Sequence, residues 1–411
     1  MVTVAVLGHG VVGSGVVEVL RQNADSITKR AGTEITVGHV LDIRDFSDSP
    51  YAALFTKDFN DIVSDPAVSV VAEVIGGVDP AYGFVKACLE AGKSVVTSNK
   101  ELVAAKGAEL LKIAAEHDVN FLFEASVGGG IPIIRPLHQC LAANQIDEIA
   151  GILNGTTNFI LTKMIKEGMA FDAALKMAQE LGYAEANPSA DVDGHDACRK
   201  ICILASLAFG SHVYPAYVPT EGITALTPED VHYADDAGCV IKLIGRAFPA
   251  ADGKVFAMVS PALLAKSSQL AGIDDVFNGI LVRGNATGDV VFYGRGAGKL
   301  PTASAVVGDI VDCVKATGTI HSLHWQDSTG NNVAEPGDTA VAAYIRCRGA
   351  EAEKLCRERF GAVQVLARAG SPADEFAFLT AVMPEKEIAA KLAELDAMGV
   401  KKLAMIRKLD Y

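Results

Sequence analysis

The opening of the chain constrains its fold more than any other stretch. Met1 leads into a short apolar run, Val2 to Leu7. The run ends on Gly8-His9-Gly10-Val11-Val12-Gly13 and passes into the helical spacing Val16, Val17, Val19, Leu20. Strand, glycine turn and helix in this order begin a βαβ unit of the kind that binds the phosphates of a dinucleotide. Gly8 permits the tight turn, Gly10 lets the backbone approach a pyrophosphate, and Gly13 lets the helix pack closely on the strand. The free amide groups and positive dipole end of the helix then meet the anion.

The segments that follow repeat the alternation. Ile35 to Leu41 reads as a second strand ending at Asp42-Ile43-Arg44. Asp42 is placed to bond ribose hydroxyls, which favours NAD; Arg44 is placed to neutralise a 2′-phosphate, which favours NADP. The two point opposite ways. Val70 to Gly77, Ser94 to Lys100 and Asn120 to Ala125 add further strands between helical stretches. The pattern predicts an α/β fold with a parallel, doubly wound sheet.

At 411 residues the chain exceeds one core, so two or three domains are expected. A net charge of −14 argues against a nucleic-acid surface, although local amides can still hold an anionic cofactor. No run of 18 apolar residues exists, so no membrane span is indicated. The first strand lacks the basic leader of a signal peptide. The eight cysteines have no paired spacing, which fits a reducing cytoplasm. His195, Cys198 and Cys202 share a helical spacing suited to zinc, but no second cluster accompanies them and core thiols are the better reading.

The segment Leu181 to Lys200 carries the most chemistry. A Gly/Pro-containing loop brings Glu185, Asp191 and Asp193 to a helix with Asp196 and Lys200 four residues apart, on one face. Acids that hold an ammonium group beside a lysine that moves a proton suit a small zwitterion. A solvated acidic loop is the bland alternative, and surface solvation is the favoured reading of Asp193.

Several blocks, in order from residue 1 to about 312, resemble the run of motifs in homoserine dehydrogenases. They are the glycine loop, Gly76-Gly77 with Pro80-Ala81, Thr97-Ser98-Asn99-Lys100 and Phe123 to Pro132. Gly151 to Ile160, with Asn154-Gly-Thr-Thr-Asn158, the Glu185–Lys200 block and Gly294 to Ser304 complete the set. The resemblance implies a Rossmann-type domain and reduction of L-aspartate 4-semialdehyde to L-homoserine with NADPH or NADH, NADP being slightly favoured. It implies Lys200 as proton donor, with Lys100 and Asp196 also catalytic. Glu185, Asp191, Asp196, Lys200 and Thr156 would bind the amino-acid substrate. Gly8, Gly10, Val11, Val12, Gly13, Arg44, Ser98, Lys100 and Gly298 would bind the cofactor. Glu124, Val127, Gly129 and Ile131 match a site for a monovalent cation, Na⁺ or K⁺, through backbone carbonyls and the Glu124 side chain. Oxygen-only ligation suits a hard cation.

Residues 1–135, with a return at about 297–317, are expected to form the Rossmann domain. Residues 136–296 read as an inserted α+β catalytic and dimerisation domain, and 318–338 as a linker. Residues 339–411 read as a βαββαβ module of ferredoxin-like type that resembles an ACT domain, open to an amino-acid effector. A homodimer or homotetramer is expected, and no kinase domain ahead of Met1. A non-catalytic nucleotide sensor is a rival, but both lysines and the acids speak against it. Another reductase of the same fold is disfavoured by the Asn154–Asn158 block.

Overall fold

The apolar run at the start becomes Val2–Leu7 (β1), buried from Val4 to Leu7. In the computed structural model, which describes residues 1–411, β1 lies centrally in a parallel sheet. Its other strands are Ile35–Leu41 (β2), Phe55–Thr56 (β3), Val68–Glu73 (β4), Ser94–Thr97 (β5) and Phe121–Leu122 (β6). The order β3-β2-β1-β4-β5-β6, with every pairing parallel, is the doubly wound arrangement. Strand order reverses between β1 and β4, where such sheets open a ligand crevice at their carboxyl ends. The helix Val11–Gln22 follows β1 directly. A Cβ on Gly13 would stand 1.9 Å from the Gly8 carbonyl oxygen, so only glycine lets this turn close.

The chain divides into two compact units. The first comprises Met1–Asp147, Cys202–Tyr217 and Arg283–Asn332, and the second Glu148–Ile201, Val218–Val282 and Val333–Tyr411. The helix Lys299–Lys315 belongs to the first unit. Residues 318–338 are more than a linker. Leu323 and Trp325 are buried, and the Trp325 indole donates to His212 Nδ1 at 3.0 Å. His212 Nε2 in turn bonds the Ala104 carbonyl at 2.8 Å. A buried indole needs a partner for its N–H, and this relay supplies one.

The remaining strands are Ile146–Ile152 (β7), Cys239–Pro249 (β8), Val255–Ala265 (β9), Phe277–Gly284 (β10), Gly288–Arg295 (β11), Ala340–Arg348 (β12), Gln364–Leu366 (β13), Glu375–Leu379 (β14), Met383–Pro384 (β15) and Lys401–Leu409 (β16). Within the second unit they run β10-β7-β8-β9-β16-β12-β14-β13. β8 and β9 form a long antiparallel pair in register from Cys239↔Ala265 to Pro249↔Val255.

The C-terminal segment has the anticipated βαββαβ order, with helices Ala352–Phe360 and Glu385–Ala397. Counting its four main strands in sequence, the spatial order β16-β12-β14-β13 is 4-1-3-2, the ferredoxin-like arrangement. It is no detached module. β16 pairs in parallel with β9 through Arg407↔Ala262, Lys408↔Leu263 and Leu409↔Leu264, so an edge that would stand open is paired within the unit. No helix is long and apolar enough to cross a membrane.

Candidate active site

In the first unit the site is built at the carboxyl ends of β1, β2, β4 and β5. Gly8 takes a left-handed φ of 96°, and Gly10 caps the helix Val11–Gln22 with no side chain bonded to its first amides. Nothing lies within 4 Å of where a Gly10 Cβ would stand. Val11 is exposed at the helix start and Val12 is half-buried beside it. An open backbone with uncapped amides fits the pyrophosphate of NAD or NADP. Gly298, with φ 134°, likewise caps Lys299–Lys315 without a side-chain bond.

Asp42 and Arg44, which argued for different cofactors, are bonded to one another. Arg44 Nε donates to Asp42 Oδ1 at 3.0 Å and Nη2 to Oδ2 at 2.8 Å, while the His9 amide donates to Oδ2 at 2.7 Å. The bonded guanidinium holds the Asp42 carboxyl well below the usual carboxylate range. The His9 ring meets Phe46 and Phe55 edge-on at 5.0 and 4.9 Å, and the Arg44 guanidinium lies 5.1 Å over Phe46.

One residue of this region escaped the sequence reading. Glu73, at the end of β4, is fully buried. Its carboxylate accepts from the Ile75 amide at 2.7 Å, the Gly76 amide at 3.4 Å and Thr97 Oγ1 at 2.6 Å. Burial pushes its pKa up. It joins the Gly76-Gly77 turn to the end of β5, where Ser98 donates its amide to the Glu73 carbonyl at 3.4 Å. Asn99 donates to the Gly77 carbonyl at 2.6 Å and accepts from the Leu102 amide at 3.1 Å. It thereby caps the helix Lys100–Glu116, whose first residue is half-buried Lys100. The available signal was an acid closing a strand whose last residues before it, Val70 to Ala72, are apolar.

In the second unit the helix His195–Phe209 begins on Asp196 and Lys200. Both are buried. Lys200 Nζ donates to Asp196 Oδ2 at 2.7 Å and to the Leu153 carbonyl at 2.8 Å. Asn154, the next residue, donates through Nδ2 to Asp191 Oδ1 at 2.7 Å and to Asp196 Oδ2 at 2.9 Å. Its Oδ1 accepts from the Thr157 amide at 2.8 Å, capping the helix Gly155–Glu167. Asn154, which the motif alone gives no role of its own, is the hub: the two N–H bonds of one neutral amide go one to each of two neighbouring carboxylates. Burial first, then the nearby Asp196 charge, raises the Asp191 pKa.

Thr156 Oγ1 donates to the Tyr183 carbonyl at 2.7 Å, tying the acid loop to the same helix start. Glu185 lies exposed on that loop, its carbonyl accepting from Gln179 at 3.1 Å. The structure therefore groups Asp191, Asp196, Lys200 and Asn154 in one network and leaves Glu185 at the surface. Asp193 is half-buried and follows the short helix Ser189–Val192. Asn158 closes the block by donating to the carbonyls of Ile273, Asp275 and Phe277 at 3.0–3.1 Å.

The expected cation ligands stand in a glycine-rich turn, with Val127 and Ile131 buried and Gly129 at φ 54°. The Glu124 side chain is not a free ligand. Its oxygens accept from the amides of Ile133 at 2.6 Å, Ile134 at 2.9 Å and Arg135 at 2.8 Å, because three amides where the chain leaves that turn would otherwise lack partners.

Comparison with known proteins gives the family. Residues 8–124 match a family model described as "Homoserine dehydrogenase, NAD binding domain", and residues 132–311 one described as "Homoserine dehydrogenase". The chain is 46% identical over 318 residues to a homoserine dehydrogenase of Synechocystis, covering 76% of this chain and 73% of that protein. It is 41% identical over 353 residues to that of Bacillus subtilis, covering 84% and 81%. A crystal structure of a homoserine dehydrogenase from Thiobacillus denitrificans superposes with a TM-score of 0.90 at 37% identity, over 100% of this chain and 98% of that one. A hyperthermophilic archaeal homoserine dehydrogenase solved in complex with NADPH matches with a TM-score of 0.65 at 28% identity, over 77% and 99%. With a glycine-cradled nucleotide end, a buried acid–lysine network and relatives matched over most of their length, the chain belongs to the homoserine dehydrogenase family of NAD(P)-dependent oxidoreductases.

Proposed function

We propose that Lys200 is the proton donor in the reaction of this family, the reduction of L-aspartate 4-semialdehyde to L-homoserine. The observation that carries the reading is the buried network in which Asn154 bridges Asp191 and Asp196 while Lys200 bonds Asp196. The nicotinamide supplies hydride to the aldehyde carbon when bound. The oxygen of that carbonyl gains negative charge, and an ammonium at hydrogen-bond distance gives it a proton. Asp196 orients Lys200 from one turn away and the Leu153 carbonyl holds a second N–H, so the ammonium is aimed rather than mobile.

Asp191 and Glu185 take the substrate ammonium, with Thr156 holding the loop that carries Glu185. Leaving the half-buried Asp191 carboxylate short of a cationic partner is costly, which selects for a substrate with an amine. Lys100 is the second catalytic lysine of the proposal, and Ser98 and Gly298 line the cofactor with the glycine loop. NADP is the favoured form, with Arg44 giving up its bond to Asp42 for a 2′-phosphate. A monovalent cation held by the carbonyls of Val127, Gly129 and Ile131 is part of the same reading. So are a cytoplasmic homo-oligomer and an amino-acid effector at the C-terminal ferredoxin-like module.

The test is NADPH oxidation followed by absorbance with L-aspartate 4-semialdehyde. Turnover that disappears in Lys200→Ala, with cofactor affinity in a fluorescence titration kept within severalfold, supports the proposal. Equal loss of cofactor binding, or retained turnover, refutes the role of Lys200.

A further inference from the structure

Arg407, on the C-terminal strand β16, is gripped from two sides. Nη1 and Nη2 donate to the two oxygens of Glu221, each at 2.9 Å. Nε donates to Glu385 Oε2 at 2.9 Å, and Nη2 also bonds Glu385 Oε1. The guanidinium is buried, whereas Glu221 is 46% exposed. Glu385 is the first residue of the helix Glu385–Ala397. One side chain thus joins β16, that helix and the segment 219–223, all within the second unit.

Segment 219–223 runs along β9, with the Val259 amide donating to Pro219 at 3.0 Å and the Glu221 amide to Val259 at 2.8 Å. On its other side it presses on the acid loop. A Cβ on Gly222 would stand 2.2 Å from the Val192 carbonyl oxygen and 2.6 Å from the Asp193 Cα. The Ile223 amide donates to the Val192 carbonyl at 2.8 Å. Val192 directly follows Asp191, and the helix bearing Asp196 and Lys200 begins at His195.

We propose that Arg407 is a positioning residue for the reaction. Through the paired fork to Glu221 it sets the height of segment 219–223, and this backbone contact sets where Asp191 meets Asn154. The C-terminal module thereby tunes substrate affinity from outside the matched family models, which end at residue 311. The inference rests on the reading of Asp191, Asp196 and Lys200 as the substrate site. A bidentate guanidinium–carboxylate fork fixes direction as well as distance, which an ammonium does not.

The test uses the full chain carrying Glu221→Gln, Arg407→Lys or Arg407→Met. Glu221→Gln is expected to raise KM for the semialdehyde about five- to tenfold with a smaller change in kcat, since small misplacements of binding groups act on substrate affinity. Arg407→Met is expected to exceed it and Arg407→Lys to restore part of the loss, with cofactor Kd held within about twofold. Wild-type KM in both Glu221→Gln and Arg407→Lys overturns the proposal. So does a fall in melting temperature and active fraction with KM unchanged, the mark of a purely structural clamp. If Arg407→Met does not fold, Glu221→Gln still decides, because it alters the exposed partner and preserves shape. Retained turnover in Lys200→Ala refutes the site reading itself. An inactive Lys200→Ala beside wild-type KM in the clamp variants refutes only this inference.

Discussion

Lys200 lies one helical turn after Asp196, and its ammonium donates to the Asp196 carboxylate at 2.7 Å with both side chains buried. Burying either charge alone is costly, so the two depend on each other and on the surrounding bonds. Lys200→Ala is therefore expected to lower kcat by about 10²–10⁴-fold, the range of a positioned proton donor. Single-turnover absorbance of the cofactor would show the loss in the hydride step itself. Lys200→Met with full activity would contradict it.

Asn154 separates two acids that would otherwise repel. Asn154→Ala removes both of its donated bonds, each to a charged group, and is expected to cost about 1.5–3 kcal/mol per bond in stability or binding. The loss should appear as a raised KM for substrate together with a lower melting temperature. Asn154→Asp, which adds a third carboxylate, should be worse than Asn154→Ala in both measurements.

Burial raises the Asp191 pKa, so Asp191 takes up a proton at a higher pH than an ordinary aspartate. Protonated Asp191 cannot hold an ammonium group. KM for substrate should therefore climb, as pH falls, from a higher pH than an unperturbed aspartate would give, and Asp191→Asn should flatten that rise. The stability sign is opposite to that of a salt-bridged acid. A folded pKa above the unfolded one means stability falls as pH rises through that window, and Asp191→Asn should stabilise the protein at neutral pH.

Arg44 is bonded to Asp42 and lies over Phe46, at the end of β2. Arg44→Ala should weaken NADPH about tenfold, or about 1.4 kcal/mol, and change NADH far less. Equal effects on both cofactors, measured by fluorescence titration, would remove Arg44 from 2′-phosphate recognition.

Trp325 is the chain's single tryptophan and reports on His212. Burial lowers the His212 pKa, and its Nδ1 accepts from the indole, so it is neutral with the proton on Nε2, facing the Ala104 carbonyl. Because the folded pKa lies below the unfolded value of about 6.5, the unfolded chain takes up the proton first and stability is lost as pH falls below that value. Tryptophan emission should shift over the same acid range. His212→Asn should abolish the shift.

The motifs of this chain were legible in sequence because each is local. A tight turn requires glycine at Gly8 and Gly13, and four-residue spacing puts Asp196 and Lys200 on one helical face. The βαββαβ order of the C-terminal module followed from period and turn residues in the same way. What escaped depends on partners far along the chain. Glu73 and Lys242 look like polar interruptions of apolar strands. Lys242 is buried, with Nζ donating to the Ile273 carbonyl at 2.5 Å and to Asn158 Oδ1 at 3.2 Å. Residues 318–338 read as a linker from composition, yet Trp325 is buried against His212, 113 residues away in the chain.

By itself the sequence determined the nucleotide turn, the parallel α/β alternation, the ferredoxin-like order at the end and the residue types of the acid–lysine site. Periodicity and turn chemistry act over a few residues and need no partner. Only the tertiary structure decided that Asn154 holds Asp191 and Asp196 together and that Glu124 caps three amides. It also decided that Arg407 reaches Glu221 across 186 residues. Those outcomes follow from which buried donors and acceptors remain to be satisfied once the strands have paired.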